Sequence, residues 1–517
     1  YKSLKDASEN INYANQYLDN YAARYYDMSP LYGYIGWDGD LIRYCEEKKE
    51  MSDTLVYMQG RAYSSYASGL LNENLGRNPE GRTYEFASTN SRLLDYQLIE
   101  YRTYRHKAID CFKILMEKNP DFPTIVGPIQ MKHDNEYLTS YLDLMMYSTK
   151  EEAAKELPEQ LYSPFQLEIA SNYLNSCEPN SILFTNGDND TYPLIYVQQK
   201  HGIRPDVLVV NISLLNTVRY IKLLSRHTGE APQLPVSITT ETLEDEQLQY
   251  AAVDNNGTDT IPLEKLIRLA QEMATLQKEK PTEIFNVSSP HLRTICGGKT
   301  IVWNYPKSYL MRNDLMILDL IDQTHCQMPI YFACTIGDDD YLGLNAYLKS
   351  EGLANRLTSE KSSLNEQAIY CVSKDVAFEN LINKFQLNAA RAAHPLERHF
   401  VMSYVFPFSN LASSLIEENE FEKAKLVLNT IIKSFPDDII PYDQIMALVA
   451  ENYYKLSDVE TGNDILNKII KNLDQNRIPL YELNGPYSDE RKENIKASLK
   501  AIADRFEQEL IIPDLKK

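Results

Sequence analysis

The feature that most limits how this chain can fold is a series of short apolar runs set between helical segments. Ile182–Thr185, Val207–Asn211, Thr300–Trp303, Ile330–Thr335 and Ala368–Val372 are each strand-sized and bounded by turn-forming or helical stretches. Strands that alternate with helices predict an α/β domain with a parallel or mostly parallel sheet. The pattern stops on both sides. From Tyr1 to about Pro164, Tyr, Leu and Ala recur at helical spacing, and helical spacing returns after about Lys374. A chain of 517 residues is too long for one ordinary core. The expected organisation is therefore a helical domain over 1–164, an α/β domain over 165–373 and a second helical domain over 374–517. The polar stretch Thr228–Thr260, interrupted by Pro232, Pro235 and Gly257, reads as a long loop or insertion.

The C-terminal helices carry a repeat. Phe408, Leu411, Ala412 and Leu415 are followed by Phe421, Ala424, Leu428 and Pro436, the order of a tetratricopeptide helix pair. Small residues at 412 and 424 let two antiparallel helices approach, and Pro436 cannot continue the second. A looser copy runs through Val449, Ala450, Tyr453, Gly462 and Leu466. In the N-terminal region, Ala108, Phe112 and Pro120 repeat only the second-helix half, so that domain is expected to be partly tetratricopeptide-like. Such helix arrays hold protein segments on concave surfaces and have no chemistry of their own.

Charge narrows the partners. With 73 Asp and Glu against 52 Lys and Arg, the net charge is -21, which repels phosphate backbones and anionic lipid. No nucleic-acid partner is expected, and no run approaches the roughly 20 apolar residues of a spanning helix. The sequence begins at Tyr1 without an initiator Met and reads as a processed product, with a signal or anchor removed. The seven cysteines are scattered, without a Cys-x-x-Cys pair, so neither a disulfide scaffold nor a zinc site is expected. Tyrosine outnumbers phenylalanine 37 to 15 and suits protein or carbohydrate contact. The stretch Tyr32–Asp40, rich in aromatics and glycine, is a candidate glycan- or peptide-contacting loop.

A longer pattern lies in the centre. The run from Cys177 through Asn186-Gly-Asp-Asn-Asp190 to Leu194 continues into Gly202–Val207 and Asn211–Thr217. Lys299–Asn304, Asp314–Asp319, Pro329–Thr335, Tyr341–Leu348 and Glu351–Ala354 then follow in order. Together, over roughly Gln166 to Ile470, these motifs resemble the soluble C-terminal part of glycosyltransferase family 117, large bacterial envelope proteins akin to protein O-mannosyltransferases. The resemblance implies a fold and a setting in the periplasm or cell envelope of a Gram-negative bacterium. The transferase activity ascribed to that family belongs to a multi-spanning membrane region that this sequence does not contain, so glycosyl transfer is not carried over.

Two acidic turns are the candidate site. Asn186, Asp188, Asn189 and Asp190 follow one strand, and Asp338, Asp339 and Asp340 follow another. Ligands of open α/β sheets bind at the carboxyl ends of strands. If the two strands are parallel neighbours, five carboxylates share one rim, where like charges would raise pKa values or recruit a cation. Asp188 and Asp190 would then hold Mg²⁺, Mn²⁺ or Ca²⁺ through oxygen, and Asn211, Ser213 and Asn216 would offer hydrogen bonds to a sugar-like ligand. The same residues equally suit a turn and a helix cap. Two functions remain open: an envelope binding or scaffold protein linked to glycan or glycoprotein handling, and a metal-dependent enzyme acting on glycans or activated sugars. No cofactor is certain, and no Gly-x-Ser-x-Gly, HExxH or P-loop sequence occurs.

Overall fold

The computed structural model describes residues 37–71, 92–226, 229–238, 243, 247–362, 371–388, 394–478 and 489–508. The chain divides into two compact units, one built mainly from residues 1–162 and the other mainly from 163–393 and 399–471. Most of the Tyr32–Asp40 stretch lies outside the described residues, as do Ala368–Tyr370. Among the described residues, no helix is long and apolar enough to cross a membrane.

The first unit is helical: α1 Trp37–Glu46, α2 Asp53–Gly69, α3 Asp95–Lys118, α4 Ile129–Tyr147 and α5 Lys150–Ala154, with a two-residue ladder of β1 Pro123–Thr124 and β2 Gly127–Pro128. Ser52 starts α2 by accepting from the Leu55 N–H at 3.3 Å. Thr149 starts α5 by accepting from Glu152 N–H at 3.2 Å. Helices α2 and α3 approach closely because Gly60 presents no side chain to Phe112. A Cβ at position 60 would sit 2.6 Å from that ring. Ala108 and Phe112 are fully buried. The core of this unit is also polar: Arg105 is wholly buried and joins Glu136, Asp143, Tyr101, Ser64 and Ser68.

The second unit opens with α6 Pro164–Asn175, whose start has Ser163 and Gln166 bonded reciprocally and Pro164 in the first turn. Then come β3 Ile182–Thr185, α7 Asp188–His201, β4 Leu208–Asn211 and α8 Val218–Ser225. The middle of the unit holds β5 Tyr250–Val253, β6 Ile261–Pro262, α9 Leu263–Glu279, β7 Phe285–Val287, β8 His291–Cys296, β9 Lys299–Asn304, β10 Tyr309–Met311 and α10 Arg312–Thr324. After it follow β11 Ile330–Ala333, β12 Leu348–Ser350, β13 Ala354–Leu357 and β14 Cys371–Val372. The main sheet has the order β14-β12-β13-β11-β3-β4. Strands β11, β3 and β4 run parallel and are buried at every position, as expected where helices cover both faces.

The main sheet is mixed: β11–β3, β3–β4 and β12–β14 pair parallel. Strand β13 turns back antiparallel to both β11 and β12. The run Thr300–Trp303 belongs to a different three-stranded sheet, β6-β8-β9. The reason is local. Gly297 and Gly298 adopt φ of +55° and +79°, giving the two-residue turn that folds β8 and β9 into an antiparallel hairpin. Strand β9 accordingly buries only alternate residues. The Thr228–Thr260 stretch, read as a loop, contains strand β5, which pairs with β7 and β10. One disulfide, Cys296–Cys326, ties the hairpin to the residues after α10.

The C-terminal helices α11 Lys374–Phe378, α12 Arg398–Glu417, α13 Phe421–Ser434, α14 Ala447–Lys455 and α15 Val459–Asp474 share the core of this unit rather than forming a body of their own. Asn172 on α6 donates to the Tyr404 hydroxyl at 2.8 Å, and Phe165 meets Phe435 edge-on at 6.2 Å. Phe408, Leu411, Ala412, Ala424 and Leu428 are completely buried, and α13 ends two residues before Pro436. Gly462 lets α15 lie against Tyr454; a Cβ there would fall 2.4 Å from the ring.

Candidate functional site at the strand tips

The carboxyl ends of β4, β3 and β11 do come together. Ser213 Oγ donates to the Asn186 carbonyl at 3.4 Å, linking the turns after β4 and β3. Thr335 Oγ1 donates to Asp190 Oδ2 at 2.6 Å, linking the turns after β3 and β11. Parallel pairing of β3 with both neighbours forces this meeting.

The chemistry of the meeting differs from a shared acidic rim. Helix α7 starts at Asp188 with Gly187 as its extended N-cap, which has no side chain to satisfy the first N–H groups. Asp190, three residues on, accepts the backbone N–H groups of Asn186 and Gly187. It thus supplies the back-reaching half of a capping box. Thr191 Oγ1 donates to the Gly187 carbonyl at 2.7 Å and lies 2.7 Å from Thr185 Oγ1. Asn211 is buried beneath this turn. Its Nδ2 donates to Thr191 Oγ1 at 2.9 Å and its Oδ1 accepts from Leu214 N–H at 3.0 Å. Both ends of the amide are engaged inside the fold, so Asn211 fixes the turn instead of facing a ligand.

Asp338, Asp339 and Asp340 form a short 3-10 turn with Tyr341. Asp340 is held by Lys307 at 3.2 Å, which also reaches Asp314 at 3.4 Å. Asn345 Nδ2 donates to Asp338 Oδ1 at 3.4 Å. Asp188 and Asp339 are exposed, and Asn189 is half-buried. Among the described residues, no group of three or more His, Cys, Asp or Glu is placed to hold a metal ion. Asp190 is engaged at the helix start, and the second acidic turn is drawn to Lys307.

Asp190 is nevertheless perturbed. Burial pushes its pKa from 3.8 up to about 6, against the hydrogen bonds from Thr335, Asn186 and Gly187. The cause is desolvation rather than the neighbouring carboxylates expected from the sequence. Beside it, Tyr173 OH lies 3.4 Å from Cys334 Sγ, and burial pushes that thiol up to about 12, which keeps it protonated and unreactive. The sign of the Asp190 effect is definite. Between about pH 4 and pH 6 the native state holds more protons than the unfolded chain, so stability falls as pH rises through that window. Asp190→Asn should remove that slope. Melting curves at pH 4.5 and 6.5 should differ less in the variant, by an amount worth at most about 2–3 kcal/mol.

Several motifs in the resemblance prove to be structural. Asp319 accepts from Ser237 N–H, Ser237 Oγ and Ile238 N–H at 2.7–2.8 Å. Asp314 accepts from Tyr305 OH at 2.7 Å and from Met311 N–H at 3.2 Å at the start of α10. Arg204, paired with Asp206 at 2.8 Å, also donates to the carbonyls of Leu174 in the last turn of α6 and Cys177 just after it. The sequence did not signal Thr185 at the end of β3, Thr191 in the first turn of α7 or Thr335 just after β11, whose hydroxyls knit the tips together.

The matched family domain sits on these elements. Residues 166–294 and 286–374 match TMEM260-associated domain 2. The matches cover the main sheet, both acidic turns and the disulfide. No curated protein and no solved structure matches the chain.

Proposed function

We propose that this chain is a binding or scaffold protein of the cell envelope, linked to the handling of glycans or glycoproteins. Its α/β unit would serve as the recognition element, and its C-terminal helices as tetratricopeptide-type pairs that hold a protein partner. The observation that carries this reading is the use made of the strand-tip polar groups. Asp190, Asn211 and Asp340 are engaged in a helix start, a turn and an ion pair, which suits a rigid platform better than a reacting centre. Support for the setting comes from the match to TMEM260-associated domain 2, whose parent family is O-mannosyltransferase-like. It also comes from the disulfide inside the matched region, since such bonds persist in oxidising compartments. The resemblance to glycosyltransferase family 117 points the same way.

The test is partner recovery. The whole chain, immobilised and incubated with envelope extract, should retain a defined glycoprotein, identified by mass spectrometry and lectin blotting. An unrelated protein of equal negative charge should not. Recovery of nothing beyond that control would contradict the proposal.

A further inference from the structure

A second site lies in the same unit, away from the strand tips. A cleft of about 440 Å³ opens between the start of α9, the β8–β9 hairpin and the end of α10. Leu263, Thr294 and Asp322 form its buried part, and Glu264, Arg293 and His325 stand exposed around it.

Three observations define its chemistry. Asp322 lines the cleft while only 7% exposed. Thr294 Oγ1 donates to its Oδ1 at 2.8 Å; among the described residues no protein group donates to Oδ2 and no ion pair forms, while His325 attracts and Glu264 repels its charge from the rim. Arg293, on the same cleft, has no ion-pair partner among the described residues either, so the two opposite charges line one cavity without meeting. Helix polarity agrees with this division. The cleft takes in the first residues of α9, where the Pro262 N-cap supplies no side-chain acceptor, and the last turn of α10, which ends in a left-handed His325. A helix start favours an anion and a helix end favours a cation. Glu264, in the first turn of α9, offsets part of the positive pole, which leaves Arg293 as the main anion contact.

We propose that this cleft binds a small zwitterion, a free amino acid or a short peptide, with its ammonium group at Asp322 and the end of α10 and its carboxylate at Arg293. A simple amine would leave Arg293 unanswered. A simple anion would face Asp322. A neutral sugar would leave both charges uncompensated. Only a ligand carrying both charges answers each pole. This inference does not depend on the scaffold reading.

Calorimetry on the whole chain tests it, with each common L-amino acid and dialanine as probes at about 10 mM, alongside ethylamine, acetate and mannose. At least one zwitterion should bind, and Arg293→Gln and Asp322→Asn should each weaken it by about tenfold or more. Ethylamine and acetate should bind far more weakly than that zwitterion. Arg293 is exposed, so its variant keeps the test decisive even if Asp322→Asn folds poorly. No heat from any zwitterion, binding unaffected by Arg293→Gln, or mannose binding that outcompetes every zwitterion would each overturn the proposal.

Discussion

Replacing Arg105 with Met should cost the first unit about 3–5 kcal/mol of stability, the expected range when one partner of a buried ion pair is removed. The guanidinium is wholly inaccessible. Its Nε donates to Tyr101 OH at 3.1 Å, Nη1 to Ser64 Oγ at 2.9 Å and to Glu136, and Nη2 to Ser68 Oγ and Asp143 Oδ2, each at 2.8 Å. After the substitution, Lys132 at 2.9 Å is the one cationic partner left to buried Glu136 among the described residues, and Asp143 keeps the Tyr101 hydroxyl at 2.7 Å. The loss therefore arises from stranded carboxylates more than from lost packing. Two consequences separate this cause from a cavity. Arg105→Lys should fail to rescue, since an ammonium cannot reproduce five directed donors. Arg105→Met combined with Glu136→Gln and Asp143→Asn should recover much of the loss. Urea unfolding followed by circular dichroism gives the numbers; a single-variant loss under about 1 kcal/mol would contradict the argument.

Gly343→Ala should be the most damaging small substitution in the second unit. Gly343 has φ +83°, and a Cβ there would lie 2.0 Å from the Asn304 carbonyl oxygen. No side-chain rotation relieves a clash with backbone, so either the β9 end or the segment after the acidic turn has to move. Positive φ adds about 1 kcal/mol for a non-glycine residue, and the steric displacement should take the total beyond about 3 kcal/mol. Gly187→Ala is the matched control. It sits in the other strand-tip turn, has no atom within 4 Å of its would-be Cβ and has extended backbone. Its effect should stay within about 1 kcal/mol. Equal losses from the two would show that the close approach at Asn304 does not constrain the fold.

Much of the second unit was legible in its sequence because buried parallel strands are continuous apolar runs. Ile182–Thr185 was placed to the residue, and Ile330–Thr335 to within two. The handedness of pairing was not legible for β9, since whether a strand joins the main sheet or a hairpin depends on the two glycines before it. The site was legible in place but not in chemistry. The sequence brings Asp190 and Asp338–Asp340 to neighbouring strand ends. It does not show that Gly187, lacking a capping side chain, draws Asp190 into the helix start, or that Lys307, some thirty residues away in the chain, claims Asp340. The cleft around Asp322 gave no signal at all, because its opposite charges come from two helices and a hairpin that are distant in sequence.

The most direct measurement of whether the strand tips serve the fold or a reaction is thermal melting of the whole chain in millimolar Mg²⁺, Mn²⁺ or Ca²⁺, beside Asp188→Asn/Asp190→Asn. A ligand bound only by the native state raises the melting temperature by mass action. The expected result is no cation-specific rise in the parent chain and the same response in the double variant. A clear rise that disappears in the double variant would place a metal on those carboxylates and contradict the structural role assigned to them.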